Sequence, residues 1–181
     1  MFISGSILDT LHAWHDFFML TGGASATLMG LLFVSVALVT GLPELPKNRE
    51  LFATPVVLEF AYAILLSIVC LAPWQKAFPF GIAITVVGVT GAIQSFRLVG
   101  RLGRYRVTER RSAVSLWFLY ATPAVGMLCA ASGVALIRAH LQAIAGIAAV
   151  VVALGLLGLR NAWRLLVWVL GEHHRRRSQD I

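Results

Sequence analysis

Glu59 is the one acidic residue deep inside the long apolar runs of this chain, the eighth residue of the stretch that begins Phe52-Ala-Thr-Pro. A carboxylate in hydrocarbon costs at least about 2.5–3.5 kcal/mol on insertion scales, so it is paired, protonated or turned toward a wet cavity. Two chemistries follow. In the first, Glu59 is a buried lock: an ion pair with Arg97 or Arg160, or a neutral carboxyl hydrogen-bonded to Gln94 or Asn161, either of which sets helix register. In the second it is a proton-titrating or cation-attracting group facing a cavity, with Tyr62 and Gln94 as polar company. Glu59, Tyr62, Gln94, Arg97, Arg160 and Asn161 therefore form the candidate intramembrane cluster.

A second set of polar side chains precedes the first apolar run. Asp9, His12, His15 and Asp16 are spaced by three and four, which places Asp9, His12 and either His15 or Asp16 on one helical face. Such His/Asp sets ligate divalent metals, so His12, His15 and Asp16 are the candidate metal ligands. The set lacks an HExxH pattern and a cysteine partner, and a solvated cluster beside Trp14 is the plainer reading. Cys70 and Cys129 fall inside apolar runs without CxxC spacing and read as small buried apolar residues. No phosphate loop, no GxSxG elbow and no paired intramembrane aspartates occur, so neither enzymatic chemistry nor a cofactor is expected.

The elements that position these groups are long and apolar. Of 181 residues, 59% are hydrophobic and 13% charged, and the mean hydropathy of +0.83 lies well above that of a globular domain. About 20 helical residues cross the roughly 30 Å hydrocarbon core of a bilayer. Five segments meet that length, at 17–42, 51–72, 78–96, 112–137 and 141–159. They do not alternate as barrel strands would. The expected fold is an all-α integral membrane bundle, a single transmembrane domain over 1–181 with a basic tail at 171–181. The start of the chain lacks a basic n-region, and the first span is expected to be retained.

With five spans, thirteen of the fifteen basic residues fall on one side and only Lys76 and Arg138 on the other. The positive-inside rule then places the N-terminus outside and the C-terminus in the cytoplasm. This sorting accounts for the net charge of +7 and points to anionic lipid rather than nucleic acid as the partner of the basic loops. The run 97–111 and the tail His173 to Arg177 read the same way, as a topology determinant and a lipid-facing end. Trp14 and Trp74 mark the outer interface and Trp163 and Trp168 the inner one. Past its core, the fifth span continues over 159–170 as a tilted or interfacial extension. Glu59 lies about 10–12 Å from the cytoplasmic end of its span at ~1.5 Å per residue, level with Gln94, Arg97, Arg160 and Asn161.

Small residues suggest how the helices meet. Gly22, Ala26 and Gly30 recur at steps of four in the first span, a pattern that lets helix backbones approach closely, either inside the bundle or at a symmetric subunit contact. Comparable clusters occur at Gly88, Gly91 and Ser95, and at Gly126 and Ala130. Pro123 is expected to kink the fourth span. The strong charge bias requires that any oligomer be parallel, and the absence of an internal repeat disfavours a self-contained secondary transporter.

The string Trp14 to Leu38, with Arg160 to Trp168 much later, resembles small bacterial multispanning proteins, some of which bear the name modulator of the FtsH protease. The likeness covers the first span well and the last span in part. It implies a bacterial inner-membrane location. The characterised modulator type is similar to seven-span proteins, whereas five spans are counted in this chain, and no catalytic residue carries across. The sequence thus points to a non-enzymatic scaffold or regulatory subunit that packs against itself or another membrane protein, with an ion channel or proton-coupled permeation unit using Glu59 as the alternative.

Overall fold

The computed structural model describes residues 7–40, 49–106 and 116–177, with residue burial described over 7–35, 56–97 and 121–164 and at Gly100 and Val167. Lys47, Arg110, Arg111 and the end of the tail lie outside the described residues, as do the side chains of Arg101, Arg104, Arg106, Trp168 and His173 to Arg177. The described residues form five helices: α1 Ile7–Thr40, α2 Arg49–Leu71, α3 Ala77–Arg106, α4 Leu116–Ile137 and α5 Ala143–Arg177. Three stretches are long and apolar enough to cross a bilayer, Ile7–Ser35, Ala77–Arg97 and Ala143–Arg164, which marks a helical membrane protein.

Three helices run well past the expected spans. α1 starts at Ile7 rather than 17 and so takes in Asp9 through Asp16 as helix. α3 continues to Arg106, and α5 runs unbroken for 35 residues to Arg177, absorbing the extension at 159–170. Arginine is a good helix former, so a helix that leaves an apolar environment at a basic segment has no local reason to stop. α4 is continuous through Pro123.

Two short connections reverse the chain with defined caps. After α2, the Trp74 indole N–H donates to the Val69 carbonyl at 2.7 Å, satisfying one of the carbonyls left open at the helix end. Its ring also packs 5.9 Å from that of Phe80. After α4, Ala139 takes a left-handed φ of 62°. The His140 N–H then bonds the Ala135 carbonyl at 3.0 Å and the Ala139 N–H bonds the Leu136 carbonyl at 2.9 Å. This is a Schellman cap with alanine where glycine is usual.

The helices pack in the order α1, α2, α5, α4, α3, and α2 touches its sequence neighbour α3 only lightly. α3 and α4 meet most closely. A Cβ on Gly81 would lie 2.8 Å from the Gly133 carbonyl oxygen, one on Gly126 2.8 Å from the Ala92 nitrogen, and one on Gly88 inside the Ala130 backbone. These pairs run antiparallel, and each requires glycine because the neighbouring atoms are backbone, which has no rotamer with which to yield.

The main core gathers Phe18 of α1, Leu66 and Cys70 of α2, Phe80 and Ile84 of α3, Cys129 and Leu136 of α4, and Ile144 to Leu154 of α5. A smaller cluster of Leu32, Val56 and Phe60 lies toward the other end. Large apolar side chains also cover the outside: Met19, Leu20, Phe33, Ile82, Val86, Phe96, Met127 and Leu156 are all exposed. Most hydroxyls along the helices turn back to their own backbone, as Thr21, Ser25, Ser67, Thr85, Ser95 and Ser132 do at 2.7–2.9 Å. A surface of apolar side chains with inward-satisfied hydroxyls suits hydrocarbon, where no water completes a hydrogen bond.

Candidate functional site

Glu59 projects from the middle of α2 and is only 2% exposed. Its carboxyl group meets α5: the Asn161 side-chain amide donates to Oε1 at 3.0 Å and to Oε2 at 2.9 Å. One turn of close packing places it there. Gly158 precedes Asn161 on α5, and a Cβ at Gly158 would lie 2.9 Å from Cζ of Phe60. The missing side chain admits the Phe60 ring, and the two helices come near enough for Asn161 to straddle the carboxylate.

An ion pair between Glu59 and Arg97 or Arg160 does not form. Both arginines are exposed, and the carboxyl group's hydrogen bonds go to Asn161. Adjacent residues on a helix point about 100° apart, so when Asn161 faces α2 its neighbour Arg160 faces outward. A guanidinium also loses more on leaving water than an amide does.

Beside this contact lies a cavity of about 40 Å³ lined from α2, α3, α4 and α5. By the rule that a water needs roughly 10–15 Å³ of such space, it has room for a few waters. Its polar lining comes from Glu59, Tyr62, Gln94, Ser95 and Thr122, and the rest is apolar, including Leu58, Leu66, Val125, Cys129 and Leu154. It exists because α3 follows α4 and stands off from α2. Gly91 faces the Tyr62 ring across the gap, where a Cβ would sit 3.4 Å from Cε1. Gln94 is exposed, so the cavity opens at that level. In the other direction it is closed by the core, where Leu66 and Val150 are 1% exposed and Ile84, Leu136 and Ile147 are fully buried.

The remaining sequence candidates stay apart from this site. His12, His15 and Asp16 are exposed on α1, and the one contact between them is His15 Nδ1 to Asp16 Oδ1 at 3.2 Å. Among the described residues no group of three or more His, Cys, Asp or Glu side chains is arranged to hold a metal ion. A single helix offers its own ligands from one side only, and among the described residues no second element supplies the rest. In α1, Gly22 meets Ser67 of α2, with its Cβ position 2.8 Å from the serine Cβ. Ala26 and Gly30 are exposed, and nothing lies within 4 Å of a Cβ at Gly30. Cys70 and Cys129 are buried free thiols, and the Cys129 thiol faces the Ile84 carbonyl at 3.8 Å.

Sequence reasoning did not reach Ser95, Thr122 or Gly158 as parts of the site. Ser95 and Thr122 share the level of Glu59, but depth alone does not reveal rotation about a helix axis. Compared with known proteins, the chain matches no family model, and no curated protein or solved structure is significantly similar to it.

Proposed function

We propose that this chain is a non-enzymatic multispanning protein of the bacterial inner membrane, a scaffold or regulatory subunit that acts by helix packing against itself or another membrane protein. The observation that carries this reading is α1. It packs chiefly on α2, and it presents an outward strip of Gly23, Ala26, Thr27 and Gly30 flanked by exposed Leu20, Leu31 and Val34. Small side chains on a lipid-facing surface permit close approach of another helix. α2 and α4, with 23 and 22 residues, are about 33–35 Å long at 1.5 Å per residue, which supports five crossings. Charge sorting supports an outside N-terminus and a cytoplasmic C-terminus facing anionic lipid. The resemblance to proteins named for FtsH modulation is compatible with a regulatory partner.

The test is Gly30→Leu in the purified full chain, with particle mass measured by light scattering in mild detergent. The variant is expected to fold, since the position is open, and to change the wild-type oligomer to a smaller species. A wild type that is monomeric, with a partner-free preparation unchanged by Gly30→Leu, sinks the packing reading.

A second reading, an ion channel or proton-coupled permeation unit, is favoured by one observation, the place of Glu59 on a cavity wall. It requires that liposomes containing the protein pass ions or protons and that Glu59→Gln alter the flux while folding persists. The buried core beyond Leu66 weighs against an open passage through one chain. Absence of flux from well-folded protein removes this reading.

A further inference from the structure

We propose that the cavity between α2 and α3 binds a small alkylammonium cation, with the Glu59 carboxylate as its counter-ion and the Tyr62 ring as one wall. The inference goes beyond packing and does not require passage across the membrane.

The acceptor capacity of Glu59 is the first reason. An ionised carboxylate offers about four lone-pair sites. Asn161 supplies a single amide nitrogen that straddles both oxygens, and an amide brings no positive charge. Among the described residues no cation is paired with Glu59, and Arg97 and Arg160 point outward. A carboxylate 2% exposed with one neutral partner is incompletely compensated. A positive group entering the adjoining space completes it.

The walls select the kind of cation. Hard metal ions take six or more oxygen ligands and keep their waters. This cavity has one carboxylate, and its lining is chiefly Leu, Val and Gly. Alkylammonium groups instead seek a counter-ion together with apolar and aromatic contact, and a ring face attracts them through its quadrupole. Tyr62 lies three residues after Glu59 on the same face of α2 and lines the same space. Gly91 keeps the facing part of α3 free of a side chain, in contact distance of the Tyr62 ring. Gln94, exposed at the opening, provides an entry between α2 and α3, and the core beyond Leu66 gives the site a closed floor. A few apolar walls around a small number of convergent polar groups is the usual composition of a small-molecule site.

The experiment is equilibrium dialysis of radiolabelled tetramethylammonium against the full chain in zwitterionic nanodiscs. Saturable binding near one site per chain is expected, displaced by unlabelled tetramethylammonium but not by equal concentrations of sodium chloride or of tert-butanol, a neutral molecule of similar bulk. Glu59→Gln should weaken binding at least about tenfold, as removing one partner of a buried charge pair does. Tyr62→Leu should weaken it about three- to fivefold, the loss of a cation–π contact. Absence of saturable binding to the wild type, equal displacement by sodium or tert-butanol, or unchanged affinity in folded Glu59→Gln overturns the proposal. If Glu59→Gln does not fold, the wild-type displacement series and Tyr62→Leu decide the matter, and flux is not needed for either.

Discussion

On one flank of α3, Gly81 and Gly88 bring its backbone against α4, where any Cβ would strike carbonyl or amide atoms. On the adjoining face, three residues past Gly88, Gly91 meets only the Tyr62 ring, at ordinary contact distance, and α2 touches α3 lightly. Both faces use glycine, yet at Gly88 the missing side chain is replaced by rigid backbone, and at Gly91 by the edge of a movable ring. Helices in lipid gain nothing from burying apolar surface against one another, so close backbone packing has to be specific. α3 is committed to α4 by that packing, and the gap toward α2 is the geometric remainder in which Glu59 finds its cavity.

The sharpest way to break this comparison is Gly88→Ala. Its new methyl would occupy the position of the Ala130 backbone, with the Ala130 Cα only 2.8 Å away. Overpacking costs about 1–3 kcal/mol, and the upper end, about 3 kcal/mol, is expected because the obstacle is backbone. Reversible unfolding in mixed micelles measures it. A loss below about 0.5 kcal/mol would mean that the seam is loose and that α3 is held elsewhere.

Next in size is Asn161→Leu on the cavity side. Removing the amide leaves the Glu59 carboxyl group buried without its hydrogen-bond partner, at a cost of about 1–3 kcal/mol. The double variant Asn161→Leu with Glu59→Leu is expected to recover much of that loss, since replacing both partners by apolar groups is nearly neutral. Failure to recover would show that the polar pair contributes more than mutual satisfaction.

The composition of the chain already contains the five helices, because apolar runs of bilayer length have few alternatives. Their ends were less legible. His12, His15, Arg101, Arg104 and Arg106 and the basic end of α5 look like interface or loop, but these residues are compatible with helix, and α1, α3 and α5 pass straight through them. Counting along the helices brings Gln94, Arg97, Arg160 and Asn161 to the level of Glu59, and Asn161 is the one bonded to it. Level is readable from residue number, whereas the rotation that turns Asn161 inward and Arg160 outward depends on contacts such as Gly158 with Phe60. The same ambiguity affects small residues. Gly22 in α1 touches α2, but Gly30, two turns further on, faces outward, so a repeat at steps of four does not say which helix, if any, it meets.

A smaller effect serves as a ruler for the α4 side. Ala139 holds the left-handed conformation that ends α4, which costs a residue with a Cβ about 1–2 kcal/mol. Ala139→Gly removes that strain but adds backbone freedom to the unfolded chain, worth about 0.5–1 kcal/mol. A net gain of about 0.5–1 kcal/mol in the same unfolding assay is expected. A loss would indicate that the cap is held by contacts of the alanine methyl group rather than by backbone geometry.

The smallest expected effect is the most discriminating one, Gly91→Ala, because it makes the same chemical change as Gly88→Ala one turn away, against a side chain instead of backbone. The added methyl would sit 3.4–3.7 Å from three atoms of the Tyr62 ring, ordinary contact with a side chain able to shift slightly. Alanine also favours a helix over glycine by about 0.8–1 kcal/mol in water, which offsets the small displacement of the ring. Stability should therefore stay within about 0.5 kcal/mol of wild type, well inside the loss at Gly88. If Gly91→Ala destabilises as much as Gly88→Ala, α2 and α3 are packed as tightly as α3 and α4, and the space beside Glu59 is not available to any ligand. If it does not, the two glycines have separate roles, one closing a helix seam and the other keeping a wall of the Glu59 cavity bare.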